Sequence, residues 1–546
     1  MTKNIQQLIL VLLILLVVNV TGSKYYKRFD LTKDKRYTLS SISNTILDNL
    51  ENTIFINVYL EGDFPAEFKR LQIETQQFLR ELKAKNASIY YRFINPDDLR
   101  ETLIRKGMFP SRLTVEEDGK LSEAIIFPWA EIQYGKKREL VSLLPDTVLK
   151  TQEEQLQNAI EKLEYSFING IHAITKNSKK KIAVLSGNGE LEDIYLYSFL
   201  SKIKSKYNLA KFTLDSVANN PQKTLADLKK YDLTVIAKPQ TRFSEEEKYV
   251  LDQYIINGGN SLWMIDNNYA DIDSLYNEGV MMAAPRDLNL TDLLFSYQIR
   301  INNKLVQDLY SAKIPLATGN IGNQTQFQYL NWFFNPLVNG NPNHPITSNI
   351  APVKLEFTTQ IDILKGDLQK TPLLVSSELT KKIGTPSIIE LQSIAKAPKE
   401  EVFTNGPQLF AVLLEGSFSS AYENRTKPFA ITQQTPNKPA KMIIIADGDI
   451  AKNQLLKGEP YDLSKDKWTG ATYGNKEFLE NAVDYLLDDE GIIELRNKSI
   501  QINLLDKQKA FEDKKFWQLV NVILPLLALV GFGMSFTYYR KKKYSA

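Results

Sequence analysis

The chain ends in FWQLVNVILPLLALVGFGMSFTYY, Phe516 to Tyr539, and Arg540-Lys541-Lys542-Lys543 follows at once. At ~1.5 Å per residue, a helix of this length exceeds the ~30 Å hydrocarbon core of a bilayer. Trp517, Tyr538 and Tyr539 stand where interfacial aromatics belong, and Pro525 is tolerated inside a membrane helix. On the other flank Lys514 and Lys515 are offset by Glu512 and Asp513. The basic stop therefore predicts a cytoplasmic C-terminus, with the chain before Phe516 emerging on the opposite side.

The other end carries a second apolar run, Leu8 to Val18. Extended to Ile5 and Gly22 it reaches the lower limit for a span, so residues 5–22 are expected to form a transmembrane anchor. A cleaved signal peptide competes with this reading. Val20-Thr21-Gly22 offers small residues, but Lys3 is the sole charge of the preceding region. Lys24, Lys27 and Arg28 sit on the flank that must lie outside, a mild conflict resolved in favour of the stronger C-terminal signal. Both termini are then cytoplasmic and the large middle is periplasmic.

That middle reads as folded and globular. The chain has 546 residues, 43% hydrophobic and 24% charged, too many for one core. Its net charge of +3 becomes −1 without the four basic residues at the end, so no nucleic-acid partner is expected. There is no cysteine, which excludes disulfides, thiolate metal sites, Fe–S clusters, a Cys nucleophile and an N-terminal lipidated Cys. His172 and His344 are the two histidines, too few for a His-rich metal cluster.

Two α/β units are expected. In residues 24–175, Thr38 or Ser40 caps a helix bearing Ile42, Ile46, Leu47 and Leu50. Strand Thr53–Gly62, helix Pro65–Lys85, strand Ala87–Pro96, a helical piece near Asp98–Lys106, a hairpin over Glu123–Leu144 and one long helix over Thr151–Thr175 follow. This order suits a thioredoxin-like scaffold, although its redox motif is impossible without Cys. Thr175–Lys181 is a polar linker. Residues 181–495 form the second unit, with strands at Ile182–Leu185, Lys211–Leu214, Leu233–Ala237 and Ser261–Ile265, and helices at Leu191–Tyr207 and Ser244–Ile256. This alternation predicts a parallel sheet. An irregular insertion spans about 287–440, with strands of its own such as Leu409–Leu414. Lys441–Ile450 returns to the core, Asn475–Leu487 is an amphipathic helix, and 496–515 is a juxtamembrane stalk leading to the transmembrane helix 516–539.

The most suggestive chemistry is SGNGELED. Gly187-x-Gly189 opens like a dinucleotide fingerprint, but the third glycine position is Glu192, and Glu190 adds repulsion where pyrophosphate would sit. No P-loop sequence occurs in the chain. The simpler reading is a tight strand-to-helix turn whose acids favour the helix dipole; a ligand-contacting turn is the alternative. Asp266, Asp447 and Asp449 also follow expected strands. With Gly187, Asn188, Gly189 and Glu190 they could gather at the carboxyl edge of the sheet, where open α/β sheets bind ligands. No nucleophile elbow exists, and no metal or cofactor is expected.

Taken together, KRFDLTKDKRYTLS, VYLEGDFPAEFKRLQIET, SGNGELED, ADGDI and the terminal segment resemble the gliding-motility-associated ABC transporter substrate-binding proteins of the GldG type, over nearly the whole chain. The resemblance implies an inner-membrane protein of Bacteroidota-like bacteria, partnered by an ABC permease and an ABC ATPase, with unknown cargo. It also implies a glutamine-amidotransferase-like (flavodoxin-like) α/β domain, shared with an intraflagellar transport protein, that lacks catalytic apparatus. The family turn often reads Gly-His-Gly-Glu; Asn188 replaces the His, which argues further against catalysis. The reading is thus a non-enzymatic accessory or substrate-binding subunit. An envelope hydrolase acting at Glu190, Asp447 and Asp449, or a ligand-free periplasmic scaffold, are the alternatives.

Overall fold

Leu233–Ala237, LTVIA, is buried at every position. A strand apolar on both faces must be covered on both, and this one lies inside a seven-stranded sheet. In the computed structural model the described residues are 7, 10–17, 19, 30, 38–62, 66–117, 120–144, 151–176, 178–322, 324–396, 398–431, 437–497 and 512–544. The sheet runs Gln369–Val375, Leu409–Gly416, Ala440–Ile445, Asn260–Met264, Leu233–Ala237, Lys181–Ser186, Asn208–Thr213. The last five are mutually parallel. Numbered along the chain, these five lie in the order 2-1-3-4-5, a doubly wound arrangement.

Alternate residues of these strands face two cores. Ile182, Val184, Val235, Leu262 and Ile443 pack under helices Asp193–Lys204 and Asn475–Leu487, through Phe199, Phe478 and Val483. Leu185, Ile236, Trp263 and Ile444 pack under helices Pro221–Leu228 and Glu245–Ile256, through Leu225, Leu251 and Tyr254. Local chemistry agrees with this packing. Ser244 and Glu247 form a capping box at the start of Glu245–Ile256, beneath three acids in the first turn.

The N-terminal part has its own four-stranded sheet, ordered Ile89–Phe93, Ile54–Val58, Trp129–Tyr134, Lys137–Ser142. The first pair is parallel and the other two are antiparallel. Helix Ala66–Lys85 follows the first strand, and Ser40 caps helix Ser41–Asp48. Phe78 meets Phe167 of helix Leu163–Thr175 at 5.6 Å. Lys162 reaches Glu477 at 3.2 Å and Tyr165 OH reaches Asp484 at 3.5 Å, so side chains at the start of this helix also bond to helix Asn475–Leu487.

Several expectations change. The single long helix is two, Gln152–Glu161 and Leu163–Thr175, with Lys162 turned between them. The hairpin expected from Glu123 begins at Trp129; Lys120–Ile126 pairs instead with Ser111–Glu117 as a separate ribbon. The strand expected at Lys211 starts at Asn208. Most important, Leu409–Gly416 is no private strand of the insertion. It pairs antiparallel with Ala440–Ile445 and extends the main sheet. Its apolar run could not reveal which sheet it joins.

Helix Lys514–Tyr544 forms a second unit together with its neighbours in Ile500–Ala546. Among the described residues, Lys514–Lys543 is the one segment long and apolar enough to cross a membrane. Of the expected anchor 5–22, residues 10–17 are helical and exposed. The remainder of that anchor, apart from residues 7 and 19, and residues 498–511 of the expected stalk lie outside the described residues.

Candidate functional site

Parallel strands in register bring their carboxyl ends side by side. Lys238 N–H donates to Met264 O at 2.9 Å, and Ile265 N–H donates to Ile445 O at 2.9 Å. The residues just beyond, Lys238, Asp266, Asp447 and Asp449, therefore converge. One carboxylate oxygen from each of the three acids lies within 4.8 Å of the others. Three such carboxylates alone would suit a hard divalent cation. Here the Lys238 ammonium lies 2.5 Å from Asp449 Oδ2 and 3.3 Å from Asp266 Oδ2. The chain supplies its own cation.

Backbone geometry is committed to this arrangement. Lys238 has φ +53°, left-handed and uncommon outside glycine. Gly448 N–H donates to Asp266 Oδ1 at 2.5 Å. A Cβ at Gly448 would lie 2.6 Å from Lys238 Cγ, so the ADGDI glycine is there for close approach. Asp447 accepts from Glu356 N–H at 2.6 Å and from Asp449 N–H at 2.7 Å.

The electrostatics follow from crowding charge in a dry place. Burial pushes Asp266 up to about 6, with Lys238 pulling against it and Asp449 adding repulsion. Burial, then Asp266 and Asp449, hold Asp447 well above the usual carboxylate range. Burial likewise raises Glu356 to about 7, against the pull of Lys354 at 3.7 Å. For Lys238 burial acts downward, but Asp449 and Asp266 outweigh it and keep it charged.

The cluster borders a cavity of about 280 Å³ whose walls include Asp449, Glu356, Lys354, Lys452, Tyr195 and Trp468. Lys452 bridges outward to Asp271 at 3.4 Å and Asp273 at 3.1 Å.

The SGNGE turn does not join this cluster. Gly187 and Gly189 take φ +123° and +75°. Asn188 O accepts from Gln240 and Thr241 N–H at 2.8 and 2.9 Å, and Asn188 Nδ2 donates to Glu247 at 3.3 Å. Glu190 accepts from Asn188 N–H at 2.8 Å, closing its own turn. The charges bearing on Glu190 are Glu247 and Asp215, whereas those on Asp447 are Asp266, Asp449 and Glu356. Glu190 is not among the three acids whose carboxylates converge within 4.8 Å, Asp266, Asp447 and Asp449, although Leu191 N–H donates to Ala237 O at 3.0 Å and holds the turn beside the strand that leads to Lys238. His344 donates no group to either cluster; burial lowers it to about 4 beside Tyr485. Sequence reasoning missed Lys238, Lys354 and Glu356. Lys238, following an apolar run, carries the pattern of any solvated loop residue, and the other two lie in the irregular insertion.

Comparison with known proteins adds the following. The family described as "ABC-type uncharacterized transport system" matches residues 179–482. A domain of unknown function, DUF7088, matches residues 33–133. An uncharacterized protein of Borreliella burgdorferi is 21% identical over 527 residues, 94% of each chain. Among solved structures, the mmIFT52 N-terminal domain aligns over 57% of this chain and 99% of its own, at 14% identity and a TM-score of 0.32. A ThuA-like protein from Parabacteroides merdae aligns over 57% of this chain and 91% of its own, at 10% identity and a TM-score of 0.27.

Proposed function

Because the chain belongs to the ABC-type uncharacterized transport system family, whose description implies an accessory role beside ABC transporter components, we propose that it is the membrane-anchored, extracytoplasmic substrate-binding subunit of such a complex. The family match carries this reading. Supporting it, the sequence holds no P-loop, so ATP hydrolysis falls to another chain. The anchor and orientation in this reading rest on the length and apolar composition of the terminal helix and on the basic residues after it. The strand-end carboxylates are ion-paired to the chain's own lysine, an arrangement suited to holding rather than to turnover, and we read the protein as non-enzymatic. Its N-terminal sheet is read as thioredoxin-like from its strand order, and its larger sheet as flavodoxin-like, of the glutamine-amidotransferase kind, from the order 2-1-3-4-5. Gliding motility or associated export is the specialised form of this role, carried by the sequence resemblance. Two spans, cytoplasmic termini and a periplasmic body at the inner membrane complete the proposal.

The test is co-purification in mild detergent, scored for an ABC permease and an ABC ATPase. Recovery of the chain alone, under conditions that preserve other ABC assemblies, overturns the reading. Protease added to spheroplasts tests the orientation: a body that is spared while outward markers are digested lies on the wrong side.

A further inference from the structure

The charge ledger of the cavity does not close. Its carboxylates are all engaged: Asp449 by Lys238, Asp273 by Lys452, and Glu356 by Lys354. Asp466 Oδ1 accepts from the N–H groups of Trp468 and Thr469 at 3.0 and 2.8 Å. Three lining lysines remain without a carboxylate partner among the described residues: Lys313, Lys465 and Lys467. Lys467 donates to Leu455 O at 3.1 Å and stands 5.2 Å over the Trp468 ring. The lining thus carries five lysines, Lys313, Lys354, Lys452, Lys465 and Lys467, against four carboxylates, Asp273, Glu356, Asp449 and Asp466, a small excess of positive charge.

A second observation is independent of charge. Asn335, on strand Gln324–Val338, also lines the cavity and is fully buried. Neither its Oδ1 nor its Nδ2 has a hydrogen-bond partner within the chain. A buried amide with both capacities unmet costs on the order of 1–3 kcal/mol per group, and such groups in folded proteins call for a specific cause. It offers one donor and one acceptor to the cavity, the complement of a hydroxyl. Trp468, 45% exposed, adds an apolar face.

We infer that this cavity binds a small anionic polyol, a sugar-sized molecule bearing one phosphate or carboxylate, with the anion held by Lys313 and Lys465 and a hydroxyl paired to Asn335. The volume of about 280 Å³ lies at the lower edge of the ~300–1,000 Å³ typical of ligand sites, which suits one monosaccharide-sized ligand. The inference rests on the substrate-binding reading and names its ligand class.

Isothermal titration of the full chain in detergent tests it, using glucose 6-phosphate and gluconate as probes and glucose and inorganic phosphate as controls. One or both anionic polyols should bind with a Kd of about 1 mM or tighter, at least tenfold below either control, and which of them binds distinguishes phosphate from carboxylate. Lys313→Gln with Lys465→Gln should weaken binding at least tenfold; both lysines are exposed, so the fold is spared. Asn335→Leu should weaken the polyol relative to inorganic phosphate. Absence of binding by both probes at about 10 mM, or unchanged affinity in the double lysine variant, overturns the inference. Co-purification keeps the two readings apart: a double variant that fails to bind but still brings down the permease isolates the ligand site. A wild type that binds yet purifies alone condemns only the transport assembly.

Discussion

Lys238→Met isolates the buried charge cluster. At an effective dielectric of about 20, the ammonium gains about 7 kcal/mol from Asp449 at 2.5 Å and about 5 kcal/mol from Asp266 at 3.3 Å. Most of that is offset by the cost of bringing Lys238 to 5% exposure. Removing it leaves Asp266 and Asp449 buried without their cation, and the expected net loss is about 3–5 kcal/mol at pH 7.5. The assay is urea unfolding of the full chain in detergent, followed by tryptophan emission, with fully buried Trp263 beside the cluster's strand ends as reporter. The deficit has a sign that a packing defect lacks. Without Lys238 the folded pKa of Asp266, already raised by burial, rises further, so it takes up its proton at milder acidity and the deficit relative to wild type shrinks from pH 7.5 to pH 5. A loss below about 1 kcal/mol, or one that is constant or grows on acidification, refutes the argument.

The contribution of Asp266 and Glu356 to wild-type stability should fall as pH rises, while the depressed His344 works the other way between about pH 4 and 6.5. Asp266 and Glu356 bind protons more tightly folded than unfolded, so their contribution is full below about pH 4 and fades through about pH 6 and about pH 7. For Glu356 this amounts to about 3 kcal/mol, and Glu356→Gln should remove the part of the slope nearest pH 7 in urea titrations across pH 4–8. Gly187→Ala forces a side chain into φ +123° and places Cβ 2.8 Å from Asp215 Oδ1; a loss of about 1–3 kcal/mol is expected in the same unfolding assay. Leu527→Arg, in the middle of the terminal helix, should disfavour membrane insertion by about 3–4 kcal/mol. A tag placed after Lys543 then becomes accessible to protease added to spheroplasts, and a tag that stays protected as in the wild type counts against the span.

Much of the central sheet was legible because its strands are short apolar runs bounded by turns. Leu233–Ala237 and Asn475–Leu487 fall where their patterns place them, and Ser244 is the cap its side chain suggests. The site was half legible. Asp266, Asp447 and Asp449 each follow an apolar run, and parallel strands bring such positions together. Glu190 shares that signature, yet its turn folds back onto Gln240 and Thr241, a matter of strand order that local pattern does not carry. Lys238 was invisible for a related reason: a lysine after TVIA looks like any solvated loop residue until neighbouring strands surround it with acid. Asn335, Lys354 and Glu356 come from the insertion, whose position depends on contacts far along the chain.

The same insertion dictates an order of assembly. Lys441 N–H bonds to Asn260 Oδ1 across 181 residues, and the strands they open are adjacent in the sheet. During synthesis, the strand from Asn260 waits with an unpaired edge until everything between has been made. Closing so large a loop is a slow, late event, and an open edge in the interval invites mispairing with other chains. Ala440–Ile445 is the last strand of this sheet to arrive. A chain cut before Ala440 should therefore keep the edge of Asn260–Met264 open, an adhesive flank that quality-control proteases can recognise.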